Sequence, residues 1–173
     1  MKIAAQESPK QRRGRRSEPV ILFSVAHQTF AIAADAVQEI RSTDSFAGAA
    51  VEFKQSEVAK VRHTVERARR IYYVVNAGVH FGLPTTRPTL VLILRQLRVA
   101  VLVDRIERMT EISMVHPLPR GFSGAERHWY RGLAYLGDRV FPVIQPTGFL
   151  TADEFQRLDR THAVQEELAG VRA

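Results

Sequence analysis

Short runs of β-branched, aliphatic and aromatic residues follow one another closely along this chain, separated by a few polar residues, Gly or Pro. The clearest runs occupy residues 20–25, 28–32, 71–75, 89–94, 99–103, 131–136 and 139–144. Runs of this length and composition are typical of β-strands. Many short strands with few helices predict a mainly β fold, either a barrel or a sandwich. A length of 173 residues suits a single domain.

The polar breaks between these runs predict how the strands connect. Gly137-Asp138 separates the last two runs, and both residue types tolerate the positive φ of a tight turn, so a hairpin is predicted there. Residues 61–65 are a candidate short strand. Residues 42–58 show no clear periodicity and are predicted to be a surface loop.

Helices are predicted in only two places. Asp35 can cap a short helix whose apolar face comprises Ala36, Val37 and Ile40. The segment Thr151-Ala152-Asp153-Glu154 has the pattern of a helix start with a capping acid, and the residues after it are helical in composition.

The net charge of +7 is concentrated in two segments. Residues 1–19 hold six basic and two acidic side chains, and so do residues 54–70. Residues 1–18 have too few apolar side chains to offset chain entropy, and we expect a disordered basic tail there. The expected folded domain then spans 19–160, with a helical tail over 161–173.

The composition limits the compartment and the chemistry of the chain. No run approaches 18 consecutive apolar residues and no secretory signal is present, so neither a membrane span nor export is predicted. The chain has no Cys, which excludes disulfides and thiolate metal sites. A cytoplasmic location is the simplest expectation.

No set of residues predicts catalysis. Phosphate-loop and dinucleotide-binding glycine patterns are absent, and Ser123 lacks the spacing of a nucleophile elbow. Asp104 and Glu107 are not marked as an acid–base pair. The six histidines are interpreted as loop and surface residues: His27, His63, His80, His116, His128 and His162. We therefore expect no enzyme activity, no cofactor and no metal.

Four segments in order carry a family resemblance. They are residues 22–41, 70–84, 99–106 and 131–144. The first ends in Val37-Gln38-Glu39-Ile40-Arg41, and the second begins with Arg70-Ile71-Tyr72-Tyr73-Val74-Val75-Asn76. The third contains Val103-Asp104. Each alone is weak, because apolar strands are common. Together, over about residues 19–160, the chain resembles the CheW family of chemotaxis coupling proteins.

The resemblance implies a fold and a function. The fold would be two small five-stranded β-barrels packed around a shared apolar core, with a C-terminal helix. The function would be a non-catalytic scaffold that joins chemoreceptor tips to the histidine kinase CheA by docking on the regulatory domain of the kinase. Such a protein would be cytoplasmic and held near the inner face of the membrane through receptor arrays.

One stretch departs from the family pattern. The family usually reads Gly-Val-x-Asn-Leu-Arg-Gly before the strand at residue 70, whereas this chain has His63-Thr64-Val65-Glu66-Arg67-Ala68-Arg69. The family Arg, which lies on the face used toward receptor and kinase, is replaced by Ala68. Arg67 or Arg69 can substitute for it after a shift of one residue. The candidate partner-binding residues are Val37, Ile40, Arg62, Arg67 and Arg69.

Two other readings remain open. A divergent adaptor of a chemosensory-like system that controls pili or gliding would fit the altered stretch and the lengthened 42–62 segment. A nucleic-acid-associated basic β-barrel would fit the two basic segments, although the 54–70 segment has no interleaved aromatic residues for base stacking.

Overall fold

The fold is mainly β, as the sequence predicts. We describe residues 16–84 and 86–172 of a computed structural model. The strands are β1 Glu18–Val25, β2 Gln28–Ala33, β3 Val37–Ser42, β4 Ala50–Glu52, β5 Val61–Arg67, β6 Arg70–Asn76, β7 Leu90–Leu94, β8 Val99–Val103, β9 Arg105–Ile112, β10 Tyr130–Leu136 and β11 Arg139–Ile144. The helices are α1 Thr43–Ala47, α2 Ala77–His80 and α3 Ala152–Val171, with 3-10 turns at Ala34–Ala36, Ala125–His128 and Pro146–Gly148. The proposed tail falls mostly outside the described residues, and β1 already begins at Glu18.

The strands form two sheets. The first has the order β10-β11-β2-β1-β9 and the second the order β3-β7-β8-β6-β5-β4. Neighbours pair antiparallel except β11 with β2 and β6 with β8, which pair parallel. The resemblance implied five strands in each unit. The second sheet has six, because β4 adds to the edge of β5.

Two sequence predictions were wrong. Residues 37–40 are not helical, since only a 3-10 turn precedes β3. A bulge lies between Val37 and Glu39, so Val37 pairs with Leu94 and Ile40 with Leu92. The bulge places two residues three apart on one face, a spacing that also suits a helix. Likewise, the predicted loop over 42–58 contains α1 and β4.

Both sheets curve strongly, as two ion pairs demonstrate. Four strand spacings of about 4.8 Å would separate β3 from β5 by about 19 Å in a flat sheet. Yet Arg67 Nη1 lies 2.5 Å from Glu39 Oε2. In the first sheet, Arg131 on β10 meets Glu18 on β1 at 2.6 Å, across two intervening strands. Each sheet therefore curls back toward its own far edge.

The curvature creates three apolar cores. One lies within the first sheet and contains Val20, Leu22, Ala31, Phe141 and Val143. Another lies within the second sheet and contains Phe46, Val65, Tyr72, Val74, Val91 and Ile93. The largest is shared between the sheets and contains, among others, Ile21, Phe23, Phe30, Ile32, Tyr73, Val75, Leu92, Leu94, Val99 and Val101. Successive strand residues point to opposite faces, so one strand supplies two cores.

Helix α3 closes the shared core. Leu158 is buried in it and Phe155 packs against it. Thr151 caps the helix and Glu154 completes the capping box, as the sequence predicts. A latch also holds the helix: Arg98 donates two hydrogen bonds to Asp159, at 2.9 and 2.8 Å, and the Tyr73 hydroxyl donates to the same carboxylate at 2.5 Å. Within the described chain, no helix combines the length and apolarity needed to cross a bilayer.

Two hairpins turn on residues in unfavourable backbone conformations. Ala26 and His27 have φ of 48° and 65°, and Ala68 and Arg69 have φ of 48° and 61°. Two consecutive positive φ angles are the geometry of a type I′ turn, which favours Asn-Gly. By contrast, the predicted hairpin at 131–144 has Gly137 at φ 61°, where glycine is tolerated.

We predict that replacing Ala68-Arg69 with Asn-Gly raises the free energy of unfolding by about 1 kcal/mol, because these residues accept the left-handed region readily. Arg70→Gly is the matched control. Arg70 lies in β6, where the added chain entropy of glycine should lower stability by about 0.5–1 kcal/mol. Urea unfolding of the three proteins checks the prediction, and equal destabilisation by both changes would contradict the turn assignment.

Candidate partner-binding site

Three of the five candidate residues belong to one region, where β3 approaches the end of the β5–β6 hairpin. We call this region the seam and define it as Glu39, Ile40, Arg41, Arg67 and Arg69. No backbone ladder joins β3 to β5 in the strand order of the second sheet. The ion pair between Glu39 and Arg67 bridges them instead.

The two apolar candidates differ in exposure. Val37 is 7% exposed and belongs to the shared core, whereas Ile40 is 39% exposed. Both side chains point to the same face of β3 because of the bulge. Val37 is thus enclosed in the shared core, whereas Ile40, three residues further along β3, leaves part of its side chain exposed to solvent.

A three-residue charge cluster lies on the face of β3 opposite to Ile40, because Glu39 and Arg41 flank it in sequence. Glu39 contacts Arg67 at 2.5 Å through one carboxylate oxygen and Arg41 Nε at 2.9 Å through the other. Arg67 Nη1 is enclosed but makes no aligned hydrogen bond, so charge attraction holds the contact. The three side chains are 30–42% exposed, and an ion pair of this kind contributes about 1 kcal/mol or less to stability. The cluster leaves one excess positive charge at the seam.

The other two arginines lie apart from this cluster. Arg69 is exposed at the tip of the β5–β6 hairpin, close in sequence to Arg67. Arg62 is also exposed but lies near the opposite end of β5, and its carbonyl accepts a hydrogen bond from Phe53 N at 2.8 Å. Five residues of strand separate Arg62 from Arg67 by about 16 Å. The structure thus does not bring Arg62 to the seam.

A second apolar surface lies on the first sheet. Tyr135 and Val140 are directly opposite on β10 and β11, and they are 53% and 51% exposed. The His116 ring packs edge-on against Tyr135 with ring centroids 4.9 Å apart. The sequence predicts a hairpin here but no binding role for these residues. Alternation along two known strands is the signal that could have identified their exposed face.

His80 contradicts its interpretation as a loop or surface residue. It ends α2, is only 6% exposed and packs among the rings of Phe81, Trp129 and Phe149. Burial lowers the pKa of the His80 ring to about 3, and the nearby positive charge of Lys60 adds to this. Nζ of Lys60 lies 3.3 Å from His80 Nδ1, where the neutral ring can accept a hydrogen bond from the ammonium group.

Lys60 connects this buried ring to the C-terminal helix. Its ammonium forms an ion pair with Glu154 at 3.0 Å, and both side chains are mostly buried. Glu154 Oε2 also accepts a hydrogen bond from Thr151 N at 2.8 Å. The group therefore ties the loop before β5 to the start of α3, and its geometry is that of a structural contact.

The acidic residues considered for catalysis are engaged elsewhere. Asp104 accepts hydrogen bonds from Ala26 N at 2.7 Å and from Thr86 Oγ1 at 2.6 Å. Glu107 accepts from Thr29 Oγ1 at 2.6 Å and pairs with Arg139 at 3.3 Å. In residues 16–84 and 86–172, no three His, Asp or Glu side chains are grouped as metal ligands.

Because Val37 is buried and Ile40 is partly exposed, we predict that substitutions at the two positions differ in their effect on the free energy of unfolding. Val37→Ala should lower the free energy of unfolding by about 1–3 kcal/mol, because it removes buried methyl groups from the shared core. Ile40→Ser should change it by less than about 0.5 kcal/mol, since that position is largely exposed. Chemical denaturation compares the two variants, and equal losses would show that Ile40 is a core residue.

The buried His80 predicts acid sensitivity. Its ring has an ordinary pKa of 6.5 in the unfolded chain and about 3 in the folded one. Its contribution to stability is complete above about pH 6.5 and is lost as the pH falls toward 3. Between pH 7 and pH 5, the wild type should lose about 2 kcal/mol more than His80→Phe. Urea unfolding at both pH values checks this, and parallel losses would contradict it.

The sequence and the fold of the chain were compared with those of known proteins. The model of the CheW-like domain family matches residues 19–154. No curated protein matches the chain. Among solved structures, the scaffolding protein TtCheW from Thermoanaerobacter tengcongensis superposes with a TM-score of 0.65 at 16% identity, covering 79% of this chain and 95% of that one. The structural match establishes the same fold, and the family match spans most of the sequence. This chain therefore belongs to the CheW-like domain family.

Proposed function

We propose that this protein is a non-catalytic adaptor that couples chemoreceptor tips to a CheA-type histidine kinase. The observation that carries the proposal is the presence of two exposed apolar surfaces on two different sheets of a CheW-like fold. One is Ile40 with its charged neighbours at the seam, and the other is the Tyr135–Val140 pair. An adaptor needs two such surfaces, because it must hold two partners at once.

We assign the regulatory domain of the kinase to the seam. β3 is the edge strand of the second sheet, so a partner docked along it can contact Ile40 on one face and the charged side chains on the other. The charged side chains set orientation and association rate more than affinity, so the main contribution to affinity should come from Ile40. The Tyr135–Val140 surface is then left for the receptor tip. Both partners are cytoplasmic, which would place the protein at the inner face of the membrane.

The charge distribution supports this reading over nucleic-acid binding. Two of the six cations in the 54–70 segment are held in ion pairs, Lys60 with Glu154 and Arg67 with Glu39. Arg62 and Arg69 lie at opposite ends of β5. Affinity for nucleic acid comes largely from Lys and Arg side chains that neutralise phosphates, and cations held in ion pairs or placed far apart contribute less to such a site. The altered seam also suits a divergent array, and the kinase that binds will distinguish swimming from pilus or gliding control.

The direct test is calorimetric titration of the protein with the regulatory domains of the CheA-type kinases encoded in the same genome. We expect one-to-one binding that Ile40→Asp weakens at least about tenfold, because a buried carboxylate without a partner is costly. The paired substitution Tyr135→Asp with Val140→Asp is the matched control and should retain kinase binding. Loss of binding in the control but not in Ile40→Asp would overturn the assignment of the seam.

A charge swap separates two roles for Arg67. Arg67→Glu alone places two carboxylates together and should weaken kinase binding by opening the seam. Combining it with Glu39→Arg restores the ion pair in reverse. If Arg67 only positions β3 against β5, the double variant should recover most of the affinity. If the kinase itself contacts Arg67, the double variant should bind as weakly as the single one.

A further inference from the structure

Helix α3 continues to Val171, whereas the family match ends at residue 154. Its second half packs beside the loop that follows β4. Gln165 Nε2 donates a hydrogen bond to the carbonyl of Glu52 at 3.1 Å, and the rings of His162 and Phe53 lie 6.3 Å apart. The extension is thus attached to the folded body and does not project from it alone.

A groove of about 400 Å³ lies between the helix and this loop. We call it the α3 groove, and its lining residues are Lys54, Gln55, Thr161, Val164, Gln165, Leu168, Ala169 and Arg172. Residues 161–172 extend for about 18 Å at the helical rise, which matches three to four turns of a second helix.

The lining of the groove includes three apolar residues of α3, Val164, Leu168 and Ala169. Val164 and Leu168 are 51% and 58% exposed, and Val171 on the adjoining turn is 86% exposed. Their spacing of four and three residues places them in one stripe along the helix. Exposed apolar surface of this kind usually marks an interaction site. An apolar groove is the usual binding site of an amphipathic helix, which packs its own apolar face into the groove.

The charged residues that line the groove indicate the charge of the partner that would bind there. The lining includes two cations, Lys54 and Arg172, and no carboxylate. Glu166, the acidic residue nearest to Gln165, pairs with His162 at 3.7 Å and does not line the groove. A partner with acidic residues beside its apolar stripe would pair with both cations, whereas a basic partner would be repelled.

We propose that the α3 groove binds a short acidic amphipathic helix of a partner protein. Apolar side chains of that helix pack on Val164 and Leu168, and its carboxylates pair with Lys54 and Arg172. The surface is separate from both the seam and the Tyr135–Val140 pair, so the protein can hold this partner in addition to the two described above. The inference does not depend on kinase binding.

The test uses the whole protein as bait for a displayed library of random 14-residue helical peptides. We expect enrichment of acidic sequences with apolar residues at positions i, i+4 and i+7. A synthetic peptide of the enriched sequence should lose about tenfold in affinity with Lys54→Glu plus Arg172→Glu, measured by fluorescence anisotropy. Val164→Asp with Leu168→Asp should abolish binding.

Met109→Asp is the matched control, because Met109 is a strongly exposed apolar residue on β9, outside the groove. It should leave the affinity unchanged. Enrichment of basic or uncharged peptides, no enrichment, or binding insensitive to Val164 and Leu168 would overturn the proposal. So would a concentration-dependent dimer in sedimentation that Leu168→Asp abolishes, since a second copy would then fill the groove.

Discussion

The shared apolar core between the two curved sheets is the constraint on which the rest of the structure depends. Neither sheet is large, and each encloses only a small core of its own. A unit of that size is only marginally stable by itself, because small domains bury a smaller fraction of their surface. The larger core unites the sheets. In it, the side chains on those faces of β1 and β6 that point away from the small cores pack together with Leu158 of α3. The sheets should therefore fold as one domain.

This constraint also decides which apolar side chains stay exposed and can serve as candidate binding surfaces. A strand that supplies both its own core and the shared core has no face left for a partner. Apolar side chains stay exposed where a strand extends past the edge of the shared core, as at Ile40 on β3. They also stay exposed where one face of a strand pair is in contact with solvent, as at Tyr135 and Val140. Substituting these positions should therefore have little effect on the fold.

The sequence predicted the fold well because core strands have a clear pattern. Near-continuous apolar runs such as Ile71 to Val75 reflect burial on both faces. The helix predicted at 37–40 was wrong because a bulge imitates helical spacing. β4 was missed because three residues at a sheet edge carry almost no periodicity. His80 was misread because the rings that bury it, those of Trp129 and Phe149, are distant in sequence.

The Glu39–Arg67 ion pair could not be predicted either, because it depends on the curvature of the second sheet, which no local sequence pattern encodes. The binding roles of the candidate residues remain predictions.

Hydrogen exchange measured on the free protein and on its complex with the regulatory domain of a CheA-type kinase tests the central claim most directly. We predict that slowed exchange on binding is concentrated in residues 38–42 and 65–70, the two segments that form the seam. Slowed exchange confined to β10–β11 or to α3, with the seam unchanged in a saturated complex, would contradict it.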